Sequence, residues 1–189
     1  MATRLGDYLT YEEAEKLWQA GTCFRDQLLL RLLWRTGLRV GEVVAIEVSD
    51  IDWTHRGVYV LPEKKRSKKE PRFVPLDKKM MSMIQHYLDN RKAQSPYLFD
   101  SGKNHLTRQW VYLTVRTAGE NGLGKHVHPH TLRNSVAMHF IKTGGGSYEN
   151  LRKLQIHLGH ASIETTAGYL KYSQDEVRKA YEEAFPEEE

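Results

Sequence analysis

The stretch 24–35 constrains this chain more than any other. It carries Leu28, Leu29, Leu32 and Leu33 at helical spacing and is stopped by Gly37. That pattern describes a central buried helix around which the other elements pack. Its apolar run, 28–34, is too short to span a bilayer and is broken by Arg31, so no membrane partner is expected. A length of 189 residues suits one domain with a full core, or one domain plus a small appendage.

The flanking pattern is mostly helical. Thr10-Tyr-Glu-Glu13 has capping-box spacing, which places a helix from Tyr11 to about Gln19. Arg39 opens a short helix ending near Glu47. From Asp50 the period changes. Ile51 and Trp53, then Val58 to Leu61, then Phe73 and Val74 read as three short strands. Asp77 caps a helix to about Lys92, and further helices are expected over 107–118, 131–143, 148–157, 162–172 and 174–185. Trp34 and Trp110 are assigned to the core, and 119–129 to a loop rich in glycine and histidine. The expected fold class is mainly α with a small antiparallel β-sheet.

Charge is unevenly spread. The net value is +4, yet the last eight residues hold five glutamates: Glu182, Glu183, Glu187, Glu188 and Glu189. Setting those five negative charges aside leaves +9 on the remainder, in a chain of pI about 9.1. A body that basic suits a polyanionic partner, although a well-solvated surface meets the same numbers. The segment Pro62-Glu-Lys-Lys-Arg-Ser-Lys-Lys-Glu-Pro-Arg72, between the second and third strands, has six basic residues and two acidic ones. The N-terminus has no apolar signal core, and the single cysteine, Cys23, excludes an intrachain disulfide. Both suit a reducing cytoplasm.

Four separated motifs carry chemistry. In Thr36-Gly-Leu-Arg-Val-Gly-Glu42, Arg39 stands at a helix start, where backbone N–H groups already favour an anion. In His130-Thr-Leu-Arg133, residues three apart share a helix face, so imidazole and guanidinium project together. In Gly159-His-Ala-Ser-Ile-Glu-Thr-Thr-Ala-Gly-Tyr169, a histidine precedes a tyrosine by nine residues. The lysine-rich hairpin is the fourth. A tyrosine hydroxyl, with a pKa of about 10, attacks usefully only where cations and donors surround its target. Two arginines, a lysine, two histidines and a tyrosine are the side chains that metal-free phosphoryl transfer from DNA to protein needs. Arginine's planar fork grips phosphate oxygens and keeps its proton, while lysine can give one up to a leaving group. Taken singly, Arg39 reads as a capping arginine, Tyr169 as a half-buried core tyrosine, and the lysines as a solvated hairpin tip.

In this order and combination the motifs resemble the tyrosine recombinases, or phage integrase family, from about Leu9 to Tyr172. The family pattern Thr-Gly-Leu-Arg-x-x-Glu is met by residues 36–42, His-x-Leu-Arg by 130–133, and Leu-Gly-His-x-Ser-Ile-x-Thr-Thr-x-x-Tyr by 158–169. The family's hairpin lysine precedes Arg72-Phe-Val-Pro-Leu76 and falls between Lys64 and Lys69, with Lys65 favoured and Lys64 next. The resemblance implies that Tyr169 attacks phosphorus, Arg39 and Arg133 clamp the non-bridging oxygens, and Lys65 protonates the departing 5′-oxygen. It also implies that His130 accepts the tyrosine proton and His160 hydrogen-bonds the phosphate. The Gly-His spacing and Thr165-Thr166 favour Tyr169 over Tyr172 as nucleophile. Lys64, Arg66, Lys68, Lys69, Arg72, His126 and His128 are assigned to DNA contact.

The implied activity is site-specific recombination through a 3′-phosphotyrosyl intermediate, without metal, ATP or cofactor. The implied partner is double-stranded DNA, with four protomers on two duplexes and a monomer free in solution. A cytoplasmic, nucleoid-associated protein is expected. Residues 1–173 form the catalytic domain, and 174–189 a C-terminal helix with an acidic tail that could dock on a neighbour. The family's N-terminal DNA-clamping domain has no counterpart before Tyr11, which makes this either an excised catalytic domain or a compact form. Asn134 stands where many relatives carry a second histidine, outside the core catalytic set. The competing readings are a type IB topoisomerase, a non-catalytic DNA-binding module of the same fold, and a histidine-metal phosphoesterase. The last would use His126-Val-His-Pro-His130, but Pro129 interrupts strand geometry and no acidic residue or cysteine is close in sequence, so no metal is assigned.

Overall fold

The computed structural model describes residues 8–62, 70–92, 95–102 and 104–170. The hairpin residues Lys64, Lys65, Arg66, Lys68 and Lys69, Tyr172 and the segment 174–189 lie outside the described residues.

Eight helices and one three-stranded sheet are present among the described residues. Helix α1 is Tyr11–Gln19, entered through a complete capping box in which Thr10 and Glu13 exchange backbone and side-chain hydrogen bonds. Helix α2, Phe24–Thr36, is the centre of the molecule. Leu28, Leu29, Leu30, Leu32 and Leu33 are all at most 1% exposed, so leucines bury nearly every face of it. Buried Arg31 extends from α2 to Asp77, at 3.0 Å, and lies over the Trp18 ring. Asp77 also caps α4, Lys78–Asn90, by accepting from the Met80 N–H, so one carboxylate ties two helices together.

The short helix α3 is Val40–Val44 and ends earlier than the sequence suggested. A single 3-10 turn, Val48–Asp50, leads into β1, Ile51–Asp52. Strands β2, Gly57–Val60, and β3, Arg72–Pro75, follow in the antiparallel order β1-β2-β3. The last pair of the β2–β3 ladder is Val60 opposite Arg72, so the basic hairpin leaves the sheet at Arg72.

Helix α5, Arg108–Leu123, runs past the loop start expected at Gly119. Its glycines serve close approach. A Cβ on Gly119 would lie 2.8 Å from the Lys125 carbonyl oxygen and the Val127 side chain, and one on Gly122 would lie 2.8 Å from the Ala20 Cβ. Trp110 is not a core residue: it is 44% exposed, with the Arg25 guanidinium 5.1 Å from its ring. Trp34, by contrast, is buried. Helix α6, Pro129–Gly144, starts with proline in its first turn, where the missing N–H costs nothing. Helix α7, Tyr148–Leu158, and the short α8, Ile163–Ala167, complete the fold. Helix α8 stops at Gly168, sooner than expected, and Tyr169 follows it. No helix among the described residues is long and apolar enough to cross a membrane.

Helix propensity alone favours Gly119→Ala by up to about 1 kcal/mol. The overlap with the Lys125 carbonyl reverses that sign. The variant should unfold at lower urea concentration, by about 1–3 kcal/mol at constant m-value.

Candidate active site

Two glycine turns, one helix start and the end of α8 bring the predicted residues together. Gly37 closes α2 in the left-handed conformation, φ 62°, and turns the chain so that Arg39 precedes the first turn of α3. Gly159 does the same for α7, φ 65°, and delivers His160. His130 and Arg133 lie on the first turns of α6.

Glu42 is the electrostatic anchor. It is 2% exposed and receives two guanidiniums. Arg72 binds it in bidentate fashion, Nη1 to Oε1 at 3.0 Å and Nη2 to Oε2 at 2.8 Å. Arg39 Nη1 reaches Oε1 at 3.2 Å, while Oε2 accepts from the Arg39 backbone N–H at 2.9 Å. Burial alone would raise the Glu42 pKa, but Arg72 first and Arg39 second more than offset it and hold the carboxyl below its usual range. Arg72 Nε also donates to the His157 carbonyl. The Arg72 guanidinium lies so close to Gly159 that a Cβ there would sit 2.8 Å from it. Arg72 was assigned to DNA contact, and the structure places it otherwise: its planar fork is committed to a buried carboxylate.

Arg133 is 3% exposed. Its Nη1 donates to the Gly37 carbonyl and its Nη2 to the Leu158 carbonyl at 2.8 Å, joining the C-terminal ends of α2 and α7. Burial, then the charge of Arg39, lowers its pKa to about 10, so it stays protonated near neutrality.

Three histidines beside this cluster, His130, His157 and His160, have their pKa values pushed down. His160 is buried, and its pKa falls to about 4 through burial, then the charges of Arg133, Arg39 and Arg72. Its backbone N–H donates to the Gln155 carbonyl, its own carbonyl accepts from Gln155 Nε2, and its Nδ1 meets Thr166 Oγ1 at 2.9 Å. His130 is shifted down by burial, then by Arg133 and Arg39. His157, stacked on Phe140, is shifted down by burial, then by Arg72 and Arg133.

Tyr169 is half-buried and packs against the core. Its ring lies nearly parallel to His160, 13° between planes and 6.2 Å between centroids. Its hydroxyl donates to Asn134 Oδ1 at 3.0 Å. Burial raises its pKa, and Arg133 and Arg39 partly offset this. The tyrosine therefore occupies its own chain's site, as a phenol.

Arg39, His130, Arg133, His160 and Tyr169 thus converge. Sequence reasoning misses their contacts with Thr166, Gln155 and Asn134: Thr166 lies inside a motif, Asn134 reads only as a departure from the family pattern, and Gln155 gives no signal. His126 and His128 are both exposed, His126 at 3.4 Å from Glu120 and His128 at the entry to α6. No group of three or more metal-ligating side chains occurs among the described residues. A separate cleft at the other end of α2 is lined by Arg25, Tyr87, Arg91 and Trp110, but its arginines are engaged by Asp26, Asp100 and backbone carbonyls.

The sequence profile of the phage integrase family matches residues 7–176. The chain belongs to the phage integrase family. Among curated members it is 33% identical to the tyrosine recombinase XerA of Pyrococcus horikoshii over 180 residues, covering 93% of this chain and 60% of that protein. It is 32% identical to the tyrosine recombinase XerC of Pseudomonas entomophila over 167 residues, covering 86% and 53%. This integrase-family chain therefore spans little more than half the length of such relatives. Among solved structures it superposes on the XerA recombinase crystal structure with a TM-score of 0.74 and 27% identity, over 96% of this chain and 66% of that one. It matches the fold of the XerH recombinase bound to its difH substrate with a TM-score of 0.77 and 21% identity, over 96% and 55%.

Three histidines kept neutral by the fold make stability fall in acid. Their folded pKa values lie below the unfolded value of about 6.5, so the unfolded chain binds more protons as pH drops. Stability should therefore decline from about pH 6.5 toward pH 4. Urea midpoints measured across that range check it, and His160→Gln should flatten the slope.

Proposed function

We propose that this domain cleaves and rejoins DNA through a covalent bond between Tyr169 and a 3′-phosphate. The observation that carries this reading is the convergence of Arg39, His130, Arg133, His160 and Tyr169 from separate segments around one carboxylate-anchored cluster of guanidiniums. Two guanidiniums bind one buried carboxylate there and a third, that of Arg133, lies within its field, which leaves positive charge for a phosphodiester.

In this mechanism the Tyr169 oxygen attacks phosphorus, and its proton passes to neutral His130. Arg39 and Arg133 neutralise the non-bridging oxygens as charge builds on them. The buried Thr166 hydroxyl donates a hydrogen bond to His160 Nδ1, which acts as the acceptor in this mechanism. The ring proton of His160 then sits on Nε2, free to donate to a phosphate oxygen. The P–O5′ bond breaks, and a hairpin lysine, Lys65 by preference, protonates the departing oxygen. The hairpin's departure from the sheet at Arg72, itself bound to Glu42, supports that assignment. The ester retains the bond energy, so a 5′-hydroxyl can reverse the step without ATP. Lys64, Arg66, Lys68, Lys69, His126 and His128 would meet the DNA backbone, and assembly of four protomers on two duplexes would permit strand exchange. We place the protein in the cytoplasm with the nucleoid. Residues up to 173 act as the catalytic domain, with 174–189 as a docking segment.

A nicked suicide duplex carrying the target site provides the test. Wild-type protein should become covalently attached to DNA in the presence of chelator, and Tyr169→Phe should give no adduct. Arg39→Ala should slow attachment by about 10²–10³. Equal yields from Tyr169→Phe and wild type would overturn the reading. Exchange between two labelled duplexes then tests recombination itself. Arg133 is a poorer probe, because its loss also unties Gly37 from Leu158.

A further inference from the structure

Tyr169 directs its hydroxyl at a residue the proposed mechanism leaves idle. Asn134 follows Arg133 on α6 and is buried. Successive helix residues diverge by about 100°, so Arg133 turns to the Gly37 and Leu158 carbonyls while Asn134 turns to the tyrosine. A carboxamide oxygen accepts a hydrogen bond but is too weakly basic to take the proton. Its bond to the phenol favours the neutral form and fixes the oxygen in place. The tyrosine is then held at two points. Core packing and His160 set the ring plane, and Asn134 sets the position of the oxygen.

We propose that Asn134 is a positioning residue that parks the Tyr169 hydroxyl, unionised, beside the arginine pair before a phosphate arrives. This rests on the reading of Tyr169 as nucleophile. When the oxygen bonds to phosphorus, the phenolic proton swings from Asn134 to the His130 nitrogen, and Asn134 neither gains nor loses a proton. An amide does not titrate, so the parked state is independent of pH. A histidine in that place would accept the phenol only in its neutral form.

Two measurements decide it. In DNA-free protein with 13Cζ-labelled tyrosine, the Tyr169 resonance is assigned by its loss in Tyr169→Phe. It should move in Asn134→Ala and in Asn134→Ser, which keeps a small polar group if the alanine variant folds poorly. An unmoved resonance overturns the proposal. In single-turnover attachment to the nicked duplex, Asn134→Ala should be roughly five- to tenfold slower at unchanged duplex affinity, the scale of one lost neutral hydrogen bond. Asn134→His should approach the wild-type rate at pH 8 and fall behind it below about pH 6.5. A moved resonance with an unchanged attachment rate would make the contact merely structural and also overturn the proposal. So would an Asn134→His profile that parallels wild type. Absence of any adduct from wild-type protein would instead remove the assignment of Tyr169 as nucleophile, and with it the positioning role, whatever the resonance shows.

Discussion

The site depends on one buried carboxylate. Glu42 sits where water cannot solvate it, and it is tolerable there only because Arg72 and Arg39 both bind it. Removing one partner of a buried ion pair costs about 3–5 kcal/mol, since the other charge is left stranded. Here the stranded groups would include Arg39, the arginine proposed to meet a phosphate oxygen. The carboxylate also hydrogen-bonds the backbone N–H of Arg39, so it fixes both ends of that residue. Orientation of the guanidinium is therefore built in before any anion arrives, which is what electrostatic catalysis requires.

A cluster of cations with so little counter-charge is a costly thing to fold. The protein limits the cost by keeping the neighbouring imidazoles uncharged. It also ties Arg133 to helix-end carbonyls, whose partial negative charge suits a guanidinium. Those carbonyls belong to residues followed by, or forming, left-handed glycine turns, Gly37 and Leu158-Gly159. The same two turns that end the helices thus supply both the direction of the chain and the ligands for the second arginine.

Much of this was legible in the sequence. The leucine pattern of α2, the capping box at Thr10, the cap at Asp77 and the strand alternation each obey local rules, and the elements formed where those rules put them. The errors share a cause. Gly119 and Gly122 looked like helix breakers because their partners, Val127 and Ala20, are tertiary neighbours that no local window contains. Trp110 looked like core because aromatic residues usually are, yet its ring faces Arg25 at the surface. Arg72 looked like a DNA contact because it lies in a basic run. Only the sheet register shows that it faces Glu42, thirty positions earlier in the chain. Asn134 carried no signal beyond being unusual, since its importance lies in a contact with a residue 35 positions away.

The bond between Arg72 and Glu42 also has a mechanical meaning. Strand β3 and helix α3 meet through that fork, and Arg72 reaches on to the last turn of α7 through the His157 carbonyl. The small sheet is in effect riveted to the helical body at its most highly charged point. Sliding it would first require shearing two charge-assisted hydrogen bonds in a place that excludes solvent, so the base of the basic hairpin is a stiff mounting.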